Sequence, residues 1–145
     1  MNPTQQIPAH VFEMLDRIDS KPTFRERAVL MAAYRCFELN TVLQINFLKA
    51  VQLDLPPGAP QFVKDNGDPD MSLARIKNVL RDFVDLGVQN RNLTSNAKLK
   101  KFIGMLESIN EREAEALILA KDRKLSERWP NITVDLIVYA LPGIL

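Results

Sequence analysis

The sequence predicts an all-α domain, and three observations carry that prediction. Apolar side chains recur at helical spacing along most of the chain, beginning with Val11, Leu15 and Ile18 at i, i+4, i+7. Residues that cap helices stand ahead of the apolar runs at Thr23, Ser72, Thr94 or Ser95, Asn110 and Thr133. Only 5 glycines and 7% aromatic residues occur among 145, a profile that suits helices better than a sheet. The length fits one domain over residues 1–145, large enough to bury a core without disulfides or metal.

Seven short helices follow in order. Phe12 and Met14 join Val11, Leu15 and Ile18 in the first, after Pro8. In the second, Thr23 caps and Glu26 completes a capping box, with Phe24, Ala28, Met31 and Cys36 along the apolar face. Asn40 or Thr41 restarts the pattern, and the third helix ends before Pro56. Residues 54–70, "DLPPGAPQFVKDNGDPD", form a Pro/Gly-rich surface loop. Ser72 caps a fourth helix stopped at Gly87, a C′ glycine by position. "KLKKFIGMLESI" is the fifth. Asn110 and Glu113 form a capping box for the sixth, whose acidic first turn and basic last turn both match the helix dipole. "LSERWPN" is a turn, and Thr133 caps a seventh helix closed by Pro142 and Gly143.

Charge narrows the function classes. The net charge of +1 excludes a protein that coats nucleic acid through bulk electrostatics. Residues 1–90 carry 10 basic and 11 acidic side chains and residues 91–145 carry 9 and 7, so a polyanion site has to be local. The single Cys36 has no disulfide partner and reads as a small core residue. The N-terminus lacks the basic and apolar regions of a secretion signal, and no apolar run approaches a membrane span, so a cytoplasmic protein is expected.

Catalytic patterns are missing. His10 is the one histidine and has no zinc-spaced partners, so it reads as structural or solvent-exposed. No P-loop, dinucleotide fingerprint or nucleophile elbow occurs. Asp65, Asn66, Asp68 and Asp70 lack EF-hand spacing and read as a solvated Asn-Gly turn. The expectation is no enzyme, no cofactor and no metal.

The stretch "RNLTSNAKLKK", Arg91 to Lys101, holds four basic residues and no acidic one at a helix start. Backbone N–H groups around Asn96 to Lys98 lack intrahelical partners, so Thr94, Ser95 and Asn96, with Lys98, Lys100 and Lys101, suit a phosphate. The bland alternative is a capped helix with solvated lysines. A second cluster, Lys121, Arg123, Lys124 and Arg128, follows the sixth helix, where cations simply favour a helix C-terminus. A hairpin of the fifth and sixth helices brings the two clusters to one end.

The segment from Leu93 onward resembles the N-terminal α-helical DNA-binding domain of ATP-dependent DNA ligases of tailed-phage type. Leu93-Thr94-Ser95-Asn96-Ala97 resembles that family's helix start, Lys121-Asp122 its Arg-Asp pair, and Leu141-Pro142-Gly143-Ile144 its ending. Ser95 replaces the family's glycine, and Lys64-Asp65-Asn66-Gly67 has Asn where the ligase Lys-x-Asp-Gly motif needs Asp, so no ligase activity is expected. The resemblance implies a stand-alone phage accessory protein gripping duplex DNA by its phosphates through Thr94, Asn96, Lys98, Lys101 and Lys121.

The second expectation is a protein-binding adaptor or inhibitor on the same scaffold, with a replication, repair or defence protein as partner. Near-neutral charge, the long loop, and Phe62, Val63 and Trp129 as candidate exposed anchors motivate it. For Trp129 the competing reading is a core residue.

Overall fold

Helix α6 (Glu111–Lys121) is the element around which the others assemble. Its buried residues include Ala114, Ala116 and Ala120, small side chains that let neighbouring helices approach closely. Onto it pack α1 (Val11–Ser20), α3 (Phe37–Phe47), α5 (Ser95–Ser108) and the single turn α7 (Leu125–Arg128). Helix α2 (Phe24–Ala33) packs against α1 and α8 (Val134–Ala140), and a 3-10 turn over Leu73–Ile76 leads into α4 (Lys77–Val88), which packs on α5. The computed structural model describes residues 6–63, 70–88 and 94–145. Among the described residues there are eight short α-helices and no strand, forming one all-α domain.

The apolar stripes explain the packing. Val11, Phe12, Met14, Leu15 and Ile18 of α1 are all buried. They meet a common core with Leu39 and Leu43 of α3, Leu106 of α5 and Leu117 of α6. Burying each such aliphatic side chain stabilises by about 1.5–3 kcal/mol. Three threonine caps form, two as the sequence predicts and the third at Thr94 rather than Ser95. Thr23 Oγ1 accepts from Glu26 N (3.1 Å), Thr94 Oγ1 from Ala97 N (3.1 Å) and Thr133 Oγ1 from Leu136 N (3.2 Å). Each is worth about 1 kcal/mol.

Several expectations are corrected. The count rises from seven to eight because Leu125–Arg128, expected as part of a turn, closes one helical turn with Trp129 N donating to Leu125 O. Helix α3 begins at Phe37 rather than Asn40 or Thr41, since Cys36 is already extended and sits in the cap position. It ends at Phe47, so the irregular segment starts at Leu48 rather than Asp54. Ser72 makes no cap bond and precedes a 3-10 turn, and α4 passes Gly87 by one residue. Phe24 is exposed, edge-on to Tyr139 with centroids 5.6 Å apart, and Cys36 is half-buried beyond the end of α2. Trp129 is a core residue only 2% exposed, its Nε1 donating to Asp16 Oδ1 at 2.7 Å, so it is not a surface anchor.

Glu113 departs furthest from expectation. Asn110 Oδ1 does cap α6 through Arg112 N (2.8 Å). Glu113 does not complete the box; it is fully buried and points across to another helix. Its carboxylate accepts from Val11 N (3.0 Å) and Phe12 N (3.0 Å), the orphan donors of α1, and from Leu73 N (3.2 Å). His10 Nδ1 stands 3.5 Å from Oε2. Burial pushes the Glu113 carboxyl above its ordinary range, against the opposing pull of those three N–H groups and of His10. No helix among the described residues is long and apolar enough to cross a membrane.

Candidate functional site

Members of the two basic clusters do converge, as the α5–α6 pairing requires, but Lys98, Lys121 and Arg123 turn to residues 46–58 of the chain itself. Residues 48–60 run as an irregular strap past the start of α5 and the end of α6. Lys121, its side chain 3% exposed, donates through Nζ to Pro56 O (2.7 Å), Gly58 O (2.9 Å) and Asp122 Oδ1 (2.6 Å). All three ammonium donors therefore have acceptors. Asp122 takes Gly58 N as well, at 3.2 and 3.1 Å, and Gly58 holds the positive φ of 84° that this turn requires. Lys98 is buried, 8% exposed, with Nζ 3.5 Å from Asp54 Oδ2.

Arg123 closes the strap. It follows α6 in the left-handed region, φ 59°, where glycine is the usual occupant. Lys124 N donates to Leu119 O (2.8 Å) and Arg123 N to Ala120 O (3.0 Å), the paired bonds of a Schellman ending. An arginine there costs about 1 kcal/mol or more in backbone strain. Its guanidinium offsets that by donating to Val51 O (2.6 Å), Leu48 O (3.3 Å) and Asn46 O (3.5 Å).

The residues expected to hold phosphate thus divide. Lys98, Lys121 and Arg123 have internal partners, and Thr94 caps its helix. Ser95, Asn96, Lys100, Lys101 and Lys124 are exposed. Arg91 and the Asp65, Asn66 and Asp68 of the calcium reading lie outside the described residues, among which no cluster of His, Cys, Asp or Glu fits a metal ion. Burial pushes the Cys36 thiol up to about 12, which leaves it protonated and a poor nucleophile.

On the other side of the strap lies an open groove of about 810 Å³. One wall is a face of α6, on which Glu111, Glu115, Ile118, Leu119 and Asp122 fall at i, i+4, i+7, i+8 and i+11. Ala59, Pro60, Gln61 and Phe62 form the second wall, and Lys124 and Glu127 close one end. The floor is apolar and the rim carries carboxylates. Sequence reading missed this groove because its walls are about fifty residues apart. The local signals were Phe62 in the long loop and the placement of Glu111, Glu115, Ile118 and Leu119 on one helical face.

A family model describes residues 14–127, and the chain belongs to that family, a family of unknown function (DUF6433). No curated protein and no solved structure matches the chain. The sequence-based descriptions DNA-binding, DNA-ligase N-terminal domain-like and bacteriophage are therefore corrected: the matching family carries none of them, and the description that stands is an all-α domain of that family.

Proposed function

We propose that this protein is a non-catalytic, protein-binding adaptor or inhibitor of the cytoplasm that engages its partner through the groove between α6 and residues 59–62. The observation that carries this reading is the groove itself, where half-buried Phe62 and Leu119 lie beside buried Ile118 beneath a rim of exposed carboxylates. Apolar centre and polar rim is the anatomy of a protein interface. Phosphate binding gains no comparable support, since Lys98, Lys121 and Arg123 already hold acceptors of the chain itself.

The test is site-specific photo-crosslinking in cells that make the protein at its natural level. A photoreactive amino acid at Leu119 is expected to give one discrete adduct that also co-purifies stoichiometrically. The same group at Lys100, an exposed position on α5, gives none. Absence of any Leu119 adduct, or equal labelling from both positions, refutes the reading.

A further inference from the structure

Resting on that adaptor reading, we infer that the groove takes a cationic amphipathic segment of a partner protein, with basic side chains flanking an apolar centre. Charge complementarity carries the assignment. Glu111, Glu115 and Glu127 are exposed carboxylates lining the groove, and Lys124 is the one cationic side chain among its lining residues. Among the described residues, no ion pair engages Glu111 or Glu127. Glu115 already accepts a cation, the Arg128 guanidinium at 3.1 Å. Both side chains of that pair are exposed, 51% and 39%, so the pairing is weak and open to exchange. Arg128 keeps a second resting place above the Trp129 ring, 5.5 Å from its centroid, when Glu115 turns to an incoming cation. Asp122 is not part of this recognition, because Lys121 and Gly58 N hold its carboxylate.

The order of residues along α6 sets the form of the partner. Glu111 and Glu115 precede Ile118 and Leu119 on the same face, and Glu127 stands beyond them on α7. The pattern is acid, apolar, acid. From Glu111 to Asp122 the helix rises about 16 Å, the length of about five extended residues. A segment reading basic, apolar, basic over that length places one or two aliphatic side chains on Ile118, Leu119 and Phe62. Its flanking lysines or arginines then reach the rim carboxylates. An acidic segment is repelled, and a purely polar cationic one leaves the floor uncovered.

Fluorescence anisotropy and amide chemical-shift mapping on the intact protein test this. The probes are three labelled decapeptides: alternating lysine and leucine, alternating glutamate and leucine, and alternating lysine and serine. The lysine–leucine peptide is expected to bind at least about tenfold more tightly than either other. Its shifts should map to residues 59–62 and to Glu111–Asp122, and its affinity should fall as sodium chloride rises. Neutralising Glu111→Gln, Glu115→Gln and Glu127→Gln together should weaken it by about tenfold. Preferential binding of the glutamate–leucine peptide in the groove overturns the cationic assignment and leaves the adaptor reading standing. Equal binding of the lysine–serine peptide overturns the amphipathic requirement. Shifts confined to another surface, such as exposed Val29, Val138 and Tyr139, overturn the groove as the site. If none of the peptides binds, this inference fails; the adaptor reading fails with it only when the Leu119 crosslink is also absent.

Discussion

Two faces of α6 carry charge in opposite ways. On the inward face, Glu113 is surrounded by three backbone N–H groups, and at the helix end Lys121 is surrounded by two carbonyls and a carboxylate. On the outward face, Glu111 and Glu115 stand in solvent above an apolar floor. Glu111 and Glu113 are two residues apart, about 200° around the helix axis, and that rotation decides what each can do. A buried charge must be matched by fixed partners and so becomes part of the fold. An exposed one keeps its capacity to meet something else.

The sharpest way to break this contrast is at Glu113. Glu113→Gln substitutes an NH₂ donor for one carboxylate oxygen, so one of the orphan α1 donors loses its acceptor in the interior. The expected cost is about 3 kcal/mol, read as a lower urea midpoint with an unchanged slope. The same variant exposes a pH dependence. Burial raises the folded-state value of this carboxyl, so the folded protein binds the proton more tightly than the unfolded chain does. The stabilisation linked to that proton is fully present below the ordinary value of 4.5 and is lost as pH rises through the raised folded value. The gap between wild type and Glu113→Gln should therefore narrow as pH rises above 4.5. A gap that widens instead removes burial as the dominant influence on this group.

The same contrast explains what the sequence made legible. Caps at Thr23, Thr94 and Thr133 are local devices, hydroxyl and amide three residues apart; those at Thr23 and Thr133 form as read, and Thr94 takes the cap left open between it and Ser95. The α1 stripe is local too. Glu113 stands at capping-box spacing from Asn110, and nothing local distinguishes a box from a carboxylate aimed at a helix a hundred residues away. Lys98, Lys121 and Arg123 fail in the same manner. Their acceptors lie on Asp54, Pro56, Gly58, Leu48 and Val51, and no spacing rule connects residues 48–58 with 98–123. The left-handed Arg123 is likewise silent in sequence, because an arginine normally avoids that conformation unless its side chain is held. Spacing reveals that a cation exists, and only the fold reveals whether it is already partnered.

At Lys121 the expected effect is smaller, since the strap it fastens lies near the surface. Lys121→Met keeps the length of the side chain and removes all three donors. Stability should drop by about 1–3 kcal/mol, the scale for leaving a buried hydrogen-bonded charge partner unmatched in a setting that water can partly reach. The diagnostic readout is local. Amide hydrogen exchange should accelerate at Gly58, whose N–H loses an ordered Asp122, and across residues 51–60, while α1 keeps its protection. Uniform acceleration over the whole chain would make Lys121 a general stability residue rather than the clasp of the strap.

The smallest effect on folding should come from the outward carboxylates, and that smallness is itself informative. Glu111→Gln with Glu127→Gln removes two exposed charges that no ion pair of the described residues uses. Glu111 lies in the first turn of α6, where a negative charge favours the helix dipole, so a loss below about 1 kcal/mol is expected. Glu113→Gln, the same chemical change two positions along, should cost several times more. If the outward pair proves as costly as Glu113, these carboxylates are structural after all and the groove has no free rim. If the loss stays small, the two charges contribute almost nothing to folding. The exposed carboxylates beside the half-buried floor are then dispensable for folding, which leaves them available to the proposed partner.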